Sequence, residues 1–371
     1  MEKTNHFHLK KTPLYHTHIK SCAKMTNFFG WFLPLEYEGI LKEAKAARTS
    51  CALFDVSHMG EIRITGSRAF EFIQNVTTND VSLLRPFQLQ YNLFVNHQAT
   101  IIDDFTLYRL KNSFLCVVNA SNKDKVLDWL KDNILNAVQI VDESTQLALL
   151  SLQGPNASKF LKEVLGYSVD NLKYMHFIQA KIVGNVVLIS RSGYTGERGY
   201  EIYCNSKFAS TLWQLLTQKG KNFSLSLAGL GSRDVLRIEA GYPLYGNEID
   251  ETTNPLEASL GWAVKDESKD FIGKEKILQI KKIGLQKKRV GFAMEDKAFA
   301  RKGYSIYCSK NNIVGKVTSG TYSPNLEKFI GMAYVDIDFV TPDTPISIEI
   351  RGRLYQARIE KFPFINLSVN F

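Results

Sequence analysis

The chain has 371 residues, 44% of them hydrophobic and 22% charged, a balance that excludes a disordered or fibrous protein. This length predicts two or three packed subdomains, and no apolar run approaches the roughly 18 residues of a membrane helix. The formal net charge of +9 favours anionic partners, namely nucleic acid, an acidic protein or a polycarboxylate ligand.

Helical and strand-like patterns are intermixed along the chain. Apolar residues at helical spacing predict helices over Ile40–Ala47, Val126–Ile134 and Phe208–Leu216, the last with Gly220 as its C-cap. Strand-like patterns predict strands at Glu61–Thr65, Phe114–Asn119, Leu147–Leu152, Lys181–Ser190 and Tyr200–Tyr203. Because strand and helix do not alternate regularly, we predict an α+β fold with mainly antiparallel sheets.

The pattern changes near residue 275. From Val290 onward, short strand-like pieces alternate with turn signals, which predicts a small all-β barrel or sandwich. The Lys-rich stretch Lys274–Arg289 before it is interpreted as a solvated linker. We therefore predict a region 1–275 of two interleaved α+β subdomains, one of them inserted at about 53–140, and a C-terminal barrel domain 285–371.

Several kinds of site lack support in the sequence. No G-x-G-x-x-G or P-loop pattern is present, so a dinucleotide or nucleoside triphosphate site is not expected. The five cysteines are widely spaced, which argues against a disulfide framework or zinc site and favours a reducing compartment. The histidines lack H-E-x-x-H spacing, and we expect no metal. The first residues lack the apolar core of a signal peptide.

An acidic pair is the first candidate for chemistry. Asp103 and Asp104 follow two isoleucines at the start of a predicted strand. Adjacent strand residues point to opposite faces, so only one of the two faces a given pocket and the other has a structural role. A solvated turn with two acids is the alternative.

The segment Ser192–Glu201 is rich in glycine. Its glycines permit a tight backbone path and close approach of a ligand. Tyr194 offers a flat stacking face, and Glu197 offers a carboxylate for the paired N–H donors of a pterin or purine edge. An ordinary hairpin turn explains the same residues.

A turn leading into a helix follows at Ala228–Glu239. Arg233 and Arg237 share a face of that helix, where an arginine can bind a carboxylate; an Arg–Glu surface network with Asp234 and Glu239 is the alternative. His58 is a candidate general base, but with no nucleophile pattern beside it we interpret it as a satisfied structural histidine.

The combination and order of these motifs resembles the glycine cleavage T-protein family. The similar segments run collinearly over roughly residues 12 to 365. They are Met25–Tyr37, Leu53–Glu61, Ile101–Asp104, Val117–Ala120, Leu152–Pro155, Gly193–Glu197, Gly229–Glu239, Leu244–Asp250, Gly261–Trp262, Gly315–Gly320, Ser323–Pro324 and Gly331–Met332. Departures from the family pattern are Asn27, Phe29, Glu36, Ala99 and Thr100.

The resemblance implies a three-lobed fold around a central channel and an aminomethyltransferase. Such an enzyme moves the methylene of an aminomethyl group from the lipoyl arm of H-protein to tetrahydrofolate, and it releases ammonia. Asp104 is then the catalytic acid, Glu197 binds the pterin edge, and Arg233 binds the glutamyl carboxylate or a neighbouring acid. The remaining residues that would line the folate pocket are Met59, Tyr91, Asn119, Tyr194 and Trp262.

The resemblance also sets the expected partners and location. The expected partners are folate and lipoylated H-protein, with no nucleic acid, no membrane and no metal. The protein is expected to be a monomer in a bacterial cytoplasm or, alternatively, in a mitochondrial matrix. A non-catalytic folate-binding relative in iron–sulfur cluster assembly is the alternative function, although its K-G-C-Y-x-G-Q-E motif is replaced here by Ser192–Glu197. Relatives with a fused flavin domain are another alternative, but they would need a longer chain than this one. A basic nucleic-acid-binding protein is an alternative of a different class, and it would need aromatic residues interleaved with Lys and Arg on one surface.

Overall fold

The computed structural model describes residues 8–309 and 312–368. The helices are α1 Tyr15–Lys20, α2 Ile40–Thr49, α3 Ala69–Val76, α4 Lys123–Asp132, α5 Ala157–Leu165, α6 Ala209–Gly220, α7 Leu230–Glu239 and α8 Lys274–Ile283. The strands are β1 Lys24–Phe28, β2 Trp31–Glu36, β3 Cys51–Asp55, β4 Gly60–Thr65, β5 Gln88–Val95, β6 Ile101–Arg109, β7 Phe114–Val118, β8 Gln139–Asp142, β9 Leu147–Gln153, β10 Phe177–Ile182, β11 Asn185–Ser190, β12 Gly199–Asn205, β13 Leu225–Ala228, β14 Lys287–Met294, β15 Ser305–Ser309, β16 Asn312–Ser323, β17 Lys328–Asp336, β18 Pro345–Ile350 and β19 Arg353–Glu360.

A six-stranded sheet has the order β10-β11-β12-β9-β3-β13. Its pairs are antiparallel except for the parallel pair of β13 with β3. Helices α5 and α6 pack their apolar sides, including Phe160 and Trp213, against one face. The other face is also covered, so that every residue of β3 is buried, which explains why its sequence is an apolar run rather than an alternation.

A five-stranded sheet has the order β5-β6-β7-β4-β8. All its strands lie between β3 and β9 in the sequence. Helices α3 and α4 cover one face through Phe72, Val126 and Leu130. The opposite face contributes Tyr108, Leu115 and neighbouring side chains to a core that it shares with the six-stranded sheet and α7. The two sheets therefore face each other, and side chains that leave this shared core are available to a site between them.

The C-terminal strands close a barrel in the order β14-β17-β16-β15-β18-β19. Its interior is filled by branched side chains from all six strands, among them Val317, Val335 and Ile348, as expected for a small barrel. The predicted α+β fold with mainly antiparallel sheets and a C-terminal β-barrel is confirmed. The exact division of the chain into domains stays a prediction.

Three local predictions are wrong. Gly220 lies inside α6, with a right-handed φ of −65°, and a one-turn helix Lys221–Phe223 follows it. The segment Lys181–Ser190 contains the turn between β10 and β11, because Val183 and Gly184 adopt positive φ. The stretch Lys274–Arg289 is not a linker: it forms α8, whose Ile277 is fully buried, and the start of β14.

Within the described residues, no helix is both long and apolar enough to span a membrane.

Candidate active site

A cavity of about 1320 Å³ lies where the two sheets, α7 and the barrel meet. Each of these units contributes to its wall. The five-stranded sheet contributes Tyr91 of β5, Asp104 of β6 and Asn119, which directly follows β7. The other polar and aromatic members of the wall include Glu201 and Tyr203 of β12, Arg233 of α7, and Arg289 and Tyr322 of the barrel. The wall is otherwise largely apolar, so the cavity suits a ligand with flat apolar rings and a few polar groups.

Most of the predicted site residues come together at this cavity. Its wall includes Met59, Tyr91, Asp104, Asn119, Tyr194, Arg233 and Trp262, although they are up to 203 positions apart in the chain (262 − 59). Glu197 is the predicted site residue that does not line the cavity. Among the described residues, the cavity wall contains the carboxylates of Asp104, Glu201 and Asp234.

The acidic pair divides between two faces of β6, as the strand alternation predicts. Asp103 is fully buried away from the cavity, and it accepts hydrogen bonds from the Asn119 backbone N–H (3.0 Å) and from Asn122 Nδ2 (2.6 Å). Asp104 faces the cavity, where it accepts hydrogen bonds from the Tyr91 hydroxyl (3.0 Å) and from Asn119 Nδ2 (2.8 Å).

Burial changes the acidity of both carboxyls. It raises the pKa of Asp103 well above its usual range, and the charge of Asp104 raises it further. Burial also raises the pKa of Asp104, while the hydrogen bonds from Tyr91 and Asn119 oppose that rise. A carboxylate held in this way attracts positive charge in the cavity more strongly than it would in water.

Aromatic rings form two parts of the wall. Tyr91 and Trp262 lie with ring centroids 5.1 Å apart and planes inclined by 30°, and Trp262 is 58% exposed. Tyr194 stacks on Tyr242 at 5.7 Å, and its hydroxyl donates to the carbonyl of Pro243. These faces are suited to stacking on a planar ligand.

Arg233 has unused hydrogen-bonding capacity. Its guanidinium lies 4.8 Å from the centroid of the Tyr194 ring, and its Nη1 is buried without a partner among the described residues. Burial lowers the pKa of Arg233, and the charge of Glu201 opposes that shift. A buried donor without a partner is costly, and its position in the cavity wall indicates that a ligand atom satisfies it.

The glycine-rich loop packs against Gln153. A Cβ atom built on Gly193 or Gly199 would lie 2.1 or 2.3 Å from Gln153 Oε1. The Gln153 side chain donates to the Ser192 carbonyl (3.1 Å) and accepts from the Thr195 hydroxyl (2.8 Å). These two glycines therefore permit close packing within the protein, and Gly193 also lines the cavity.

Glu197 and Glu201 have different surroundings. Glu197 forms an ion pair with Arg48 at 3.1 Å, on the side of the loop that faces the barrel. Glu201, four residues later on β12, reaches the cavity and accepts a hydrogen bond from the Ser192 hydroxyl at 2.5 Å. Of the two acids, Glu201 is the one that lines the cavity. The sequence offers both acids in one motif, and the position of Arg48 distinguishes them.

His58 is not a satisfied structural histidine. Its side chain is buried and lies in the cavity wall, next to the edges of Phe28 and Trp31. Its Nδ1 has no partner among the described residues. Burial lowers the pKa of His58 to about 4, so the ring is neutral near pH 7 and offers one hydrogen bond to a bound ligand.

The remaining wall includes residues that sequence reasoning missed. Near the chain end, Phe362, Pro363 and Leu367 line the cavity. Asn27, a departure from the family pattern, also lines it and accepts a hydrogen bond from the Gly30 backbone N–H at 3.0 Å. Ala99 adopts a φ of +60°, which explains why glycine is usual there.

Over residues 8–309 and 312–368, no group of three or more His, Cys, Asp or Glu side chains is arranged to hold a metal ion.

Comparison with known proteins gives concordant results. Residues 14–268 match the model of the GCVT N-terminal domain, and residues 287–366 match that of the glycine cleavage T-protein C-terminal barrel domain. The chain is 46% identical over 358 residues to an aminomethyltransferase of Halothermothrix orenii, which covers 96% of this chain and 100% of the relative. It is 43% identical over 359 residues to an aminomethyltransferase of Bacillus subtilis, covering 96% and 99%. The crystal structure of the glycine cleavage system aminomethyltransferase T from Bartonella henselae superposes with a TM-score of 0.91 at 33% identity, covering 97% and 99% of the two chains.

Proposed function

Since the chain belongs to the glycine cleavage T-protein family, we propose that the cavity is where it binds its substrates and transfers the aminomethyl carbon. The protein is an aminomethyltransferase of the glycine cleavage system. The resemblance implies tetrahydrofolate as the acceptor and the lipoyl arm of H-protein as the donor. The residues of the cavity fit both.

The tetrahydropterin ring binds at the end of the cavity that holds Glu201 and Arg233. Its adjacent ring and amino N–H groups match the carboxylate of Glu201, which accepts but cannot donate when ionised. Arg233 Nη1, buried and without a partner among the described residues, supplies a donor for a ring acceptor. Glu201 and Arg233 attract each other, and both line the cavity, so the wall presents an acceptor and a donor to the ligand.

The aromatic residues hold the flat parts of the folate. Tyr91 and Trp262 form an inclined pair beside Asp104, and Met59 packs at the core between the sheets. The exposure of Trp262 places this pair at the opening of the cavity. The glutamyl tail would then extend toward solvent, where the net positive charge of the chain favours it.

Asp104 stabilises the charge that develops during transfer. When N5 of tetrahydrofolate attacks the aminomethyl carbon, the C–N bond to ammonia breaks; attack by N10 then breaks the C–S bond to the lipoyl arm. The two N–H protons of the folate end on ammonia and on the lipoyl sulfur, so the reaction balances without a redox cofactor. Each attacking nitrogen becomes positive before it loses its proton, and a carboxylate in a desolvated wall stabilises that charge.

The remaining expectations concern partners and location. A bacterial cytoplasmic location is supported by the bacterial sources of the similar aminomethyltransferases, and the monomeric state stays a prediction. The basic surface favours docking of an acidic carrier protein, which should weaken with salt. The alternative role in iron–sulfur cluster assembly has no support from these relatives.

One observation carries the proposal: Asp104 and Glu201 lie in the wall of one cavity that is also lined by Tyr91, Tyr194 and Trp262. The test is ammonia release from aminomethyl-loaded H-protein with and without tetrahydrofolate. Strong folate-dependent release is expected. Folate binding without any release would show that the cavity binds folate but does not catalyse the transfer.

A further inference from the structure

Four hydroxyl groups form a continuous hydrogen-bonded row that ends on Glu201. The Tyr203 hydroxyl lies 3.0 Å from that of Tyr108, which lies 2.9 Å from Ser190 Oγ. Ser190 Oγ lies 2.8 Å from Ser192 Oγ, which lies 2.5 Å from Glu201 Oε2. We call these four groups the hydroxyl row.

The direction of the row follows from proton counting. An ionised carboxylate only accepts, so Ser192 must donate its single hydroxyl proton to Glu201. Ser192 then accepts from Ser190, and Ser190 in turn accepts from Tyr108. Tyr108 accepts from Tyr203, which is the donor of that pair. All four hydroxyl dipoles therefore point toward one carboxylate, and aligned hydrogen bonds strengthen one another in a low-dielectric interior.

The row is buried and crosses between the two sheets. Tyr108 belongs to β6 of the five-stranded sheet, while Ser190 and Tyr203 belong to β11 and β12 of the six-stranded sheet. Tyr108 and Ser190 are fully buried. Tyr108 does not line the cavity, and the row is the hydrogen-bonded connection between its hydroxyl and Glu201.

We propose that the hydroxyl row is a positioning device for Glu201, which keeps its carboxylate ionised and oriented to receive the N–H edge of the pterin. This proposal rests on the assignment of Glu201 to folate binding in the proposed function. Tyr108, Ser190, Ser192 and Tyr203 are then positioning residues for substrate recognition. None of the motifs quoted above assigns them that role.

The electrostatics of Glu201 support the row. Burial raises the pKa of Glu201, and the hydrogen bond from Ser192 and the charge of Arg233 lower it. Glu201 also interacts with three tyrosines, Tyr108, Tyr174 and Tyr203. The charge of Arg233 and the hydrogen bond from Ser192, the last member of the row, therefore both oppose the effect of burial on the Glu201 pKa. Loss of the row should raise the pKa of Glu201. Folate binding weakens when Glu201 becomes protonated at falling pH, and in a variant without the row this weakening should begin at a higher pH than in the wild type.

The sharpest variant is Tyr108→Phe, because it removes one hydroxyl without touching the cavity. Its matched control is Tyr200→Phe: Tyr200 lies next to Glu201 on β12, is fully buried, and has a hydroxyl without a partner among the described residues. The measurement is the Kd for tetrahydrofolate from pH 5 to 8, made anaerobically on the whole protein. We expect Tyr108→Phe to weaken binding by about threefold at pH 6 and to move the pH midpoint upward by about half a unit, and Tyr200→Phe to match the wild type.

A second pair protects the test if Tyr108→Phe does not fold. Ser192→Ala should weaken binding about tenfold and move the midpoint upward by about one unit, and Ser192→Thr, which keeps the hydroxyl, should restore both. Unchanged midpoints in Tyr108→Phe and Ser192→Ala would overturn the positioning role. Glu201→Gln separates the two proposals: if it binds folate like the wild type, the folate contact assigned to Glu201 has failed. If Glu201→Gln loses binding while Tyr108→Phe and Ser192→Ala bind like the wild type, Glu201 contacts folate but the hydroxyl row does not position it.

Discussion

The two arginines of α7 have contrasting surroundings. Arg237 is saturated: it pairs with Asp234 at 2.8 Å and with Glu248 at 2.6 Å, and it donates to the Ser319 hydroxyl of the barrel at 2.7 Å. Both arginines line the cavity, but Arg233, one turn earlier, has its Nη1 without a partner among the described residues. The first arginine holds elements of the protein together, and the second is available to a ligand.

The same contrast extends to two regions. The barrel seam, as we call it, is the set of paired groups that joins α2, α7 and the barrel: Arg48, Glu197, Arg237, Glu239, Glu248, Ser319, Ser323 and Asn325. The cavity wall holds buried polar atoms without partners among the described residues, at His58 and Arg233; in the seam, Glu248 Oε1 is such an atom. Charged residues of both regions look alike in the sequence. The hydrogen bonds of the two α7 arginines differ: those of Arg237 are made within the protein, whereas Arg233 Nη1 makes none among the described residues.

Breaking the seam should have the largest effect on stability. Glu239 is fully buried and accepts from Arg48 (2.8 Å), Ser323 (2.6 Å) and Asn325 (2.9 Å). Glu239→Ala leaves these donors unpaired, and we expect a loss of about 4 kcal/mol in the free energy of unfolding, measured with urea. The control is Glu163→Ala at an exposed ion pair with Lys219, which should cost about 0.5 kcal/mol or less. Equal midpoints would contradict the importance of the seam.

Breaking the cavity should instead affect the reaction. Asp104→Asn removes the charge but retains the shape, so we expect about a 100-fold loss of ammonia release. Stability should not fall, because burial opposes the ionised form of Asp104. Folate affinity, measured in parallel, should remain close to the wild-type value. Turnover close to that of the wild type would remove Asp104 from the reaction.

Glu197 and Glu201, the two acids of the segment Ser192–Glu201, allow a paired and a cavity-lining acid to be compared within one motif. Glu201→Gln should weaken tetrahydrofolate binding about tenfold, because it exchanges an acceptor oxygen for a donor. Glu197→Gln should leave the Kd unchanged and lower the urea midpoint, because it weakens the ion pair with Arg48. The opposite result, with binding lost only in Glu197→Gln, would return the pterin edge to Glu197.

The smallest expected effect is the contribution of His58 to the free energy of unfolding, which depends on pH. Its pKa is lowered to about 4 in the folded protein, against about 6.5 when unfolded. The unfolded chain therefore binds more protons between these values, and stability is lost as the pH falls from about 6.5 toward 4. At pH 6 this loss is about 1 kcal/mol, and it should be absent in His58→Asn. Parallel stability curves for both proteins from pH 7.5 to 5 would contradict the burial of a neutral ring.

Much of the fold follows from local patterns. The strands around Leu147–Leu152 and Tyr200–Tyr203 are apolar runs because both faces of their sheet are covered. Strand alternation also predicts that only one of the adjacent acids Asp103 and Asp104 faces the cavity, and the family resemblance selects Asp104. Periodicity thus predicts the elements and the division of the acidic pair, because both depend on neighbouring residues.

The remainder depends on contacts between distant residues. Glu197 and Glu201 are distinguished by Arg48, about 150 positions earlier in the chain. The helix α8 was interpreted as a linker because its many lysines outweigh Ile277, whose burial depends on a core shared with Leu93 and Ala263. His58 appears structural in sequence because only the fold shows that its Nδ1 lacks a partner.

The position of β3 has a consequence for synthesis of the chain. This strand, Cys51–Asp55, is fully buried, yet its two neighbours are β9, which begins at Leu147, and β13, which ends at Ala228. A ribosome adding about 5–20 residues per second leaves both edges of this apolar strand unpaired for several seconds, and one of them for on the order of ten seconds. We expect the nascent protein to require a chaperone over that interval, and the substrate cavity to be complete only once Phe362 and Leu367, which line it, have also emerged.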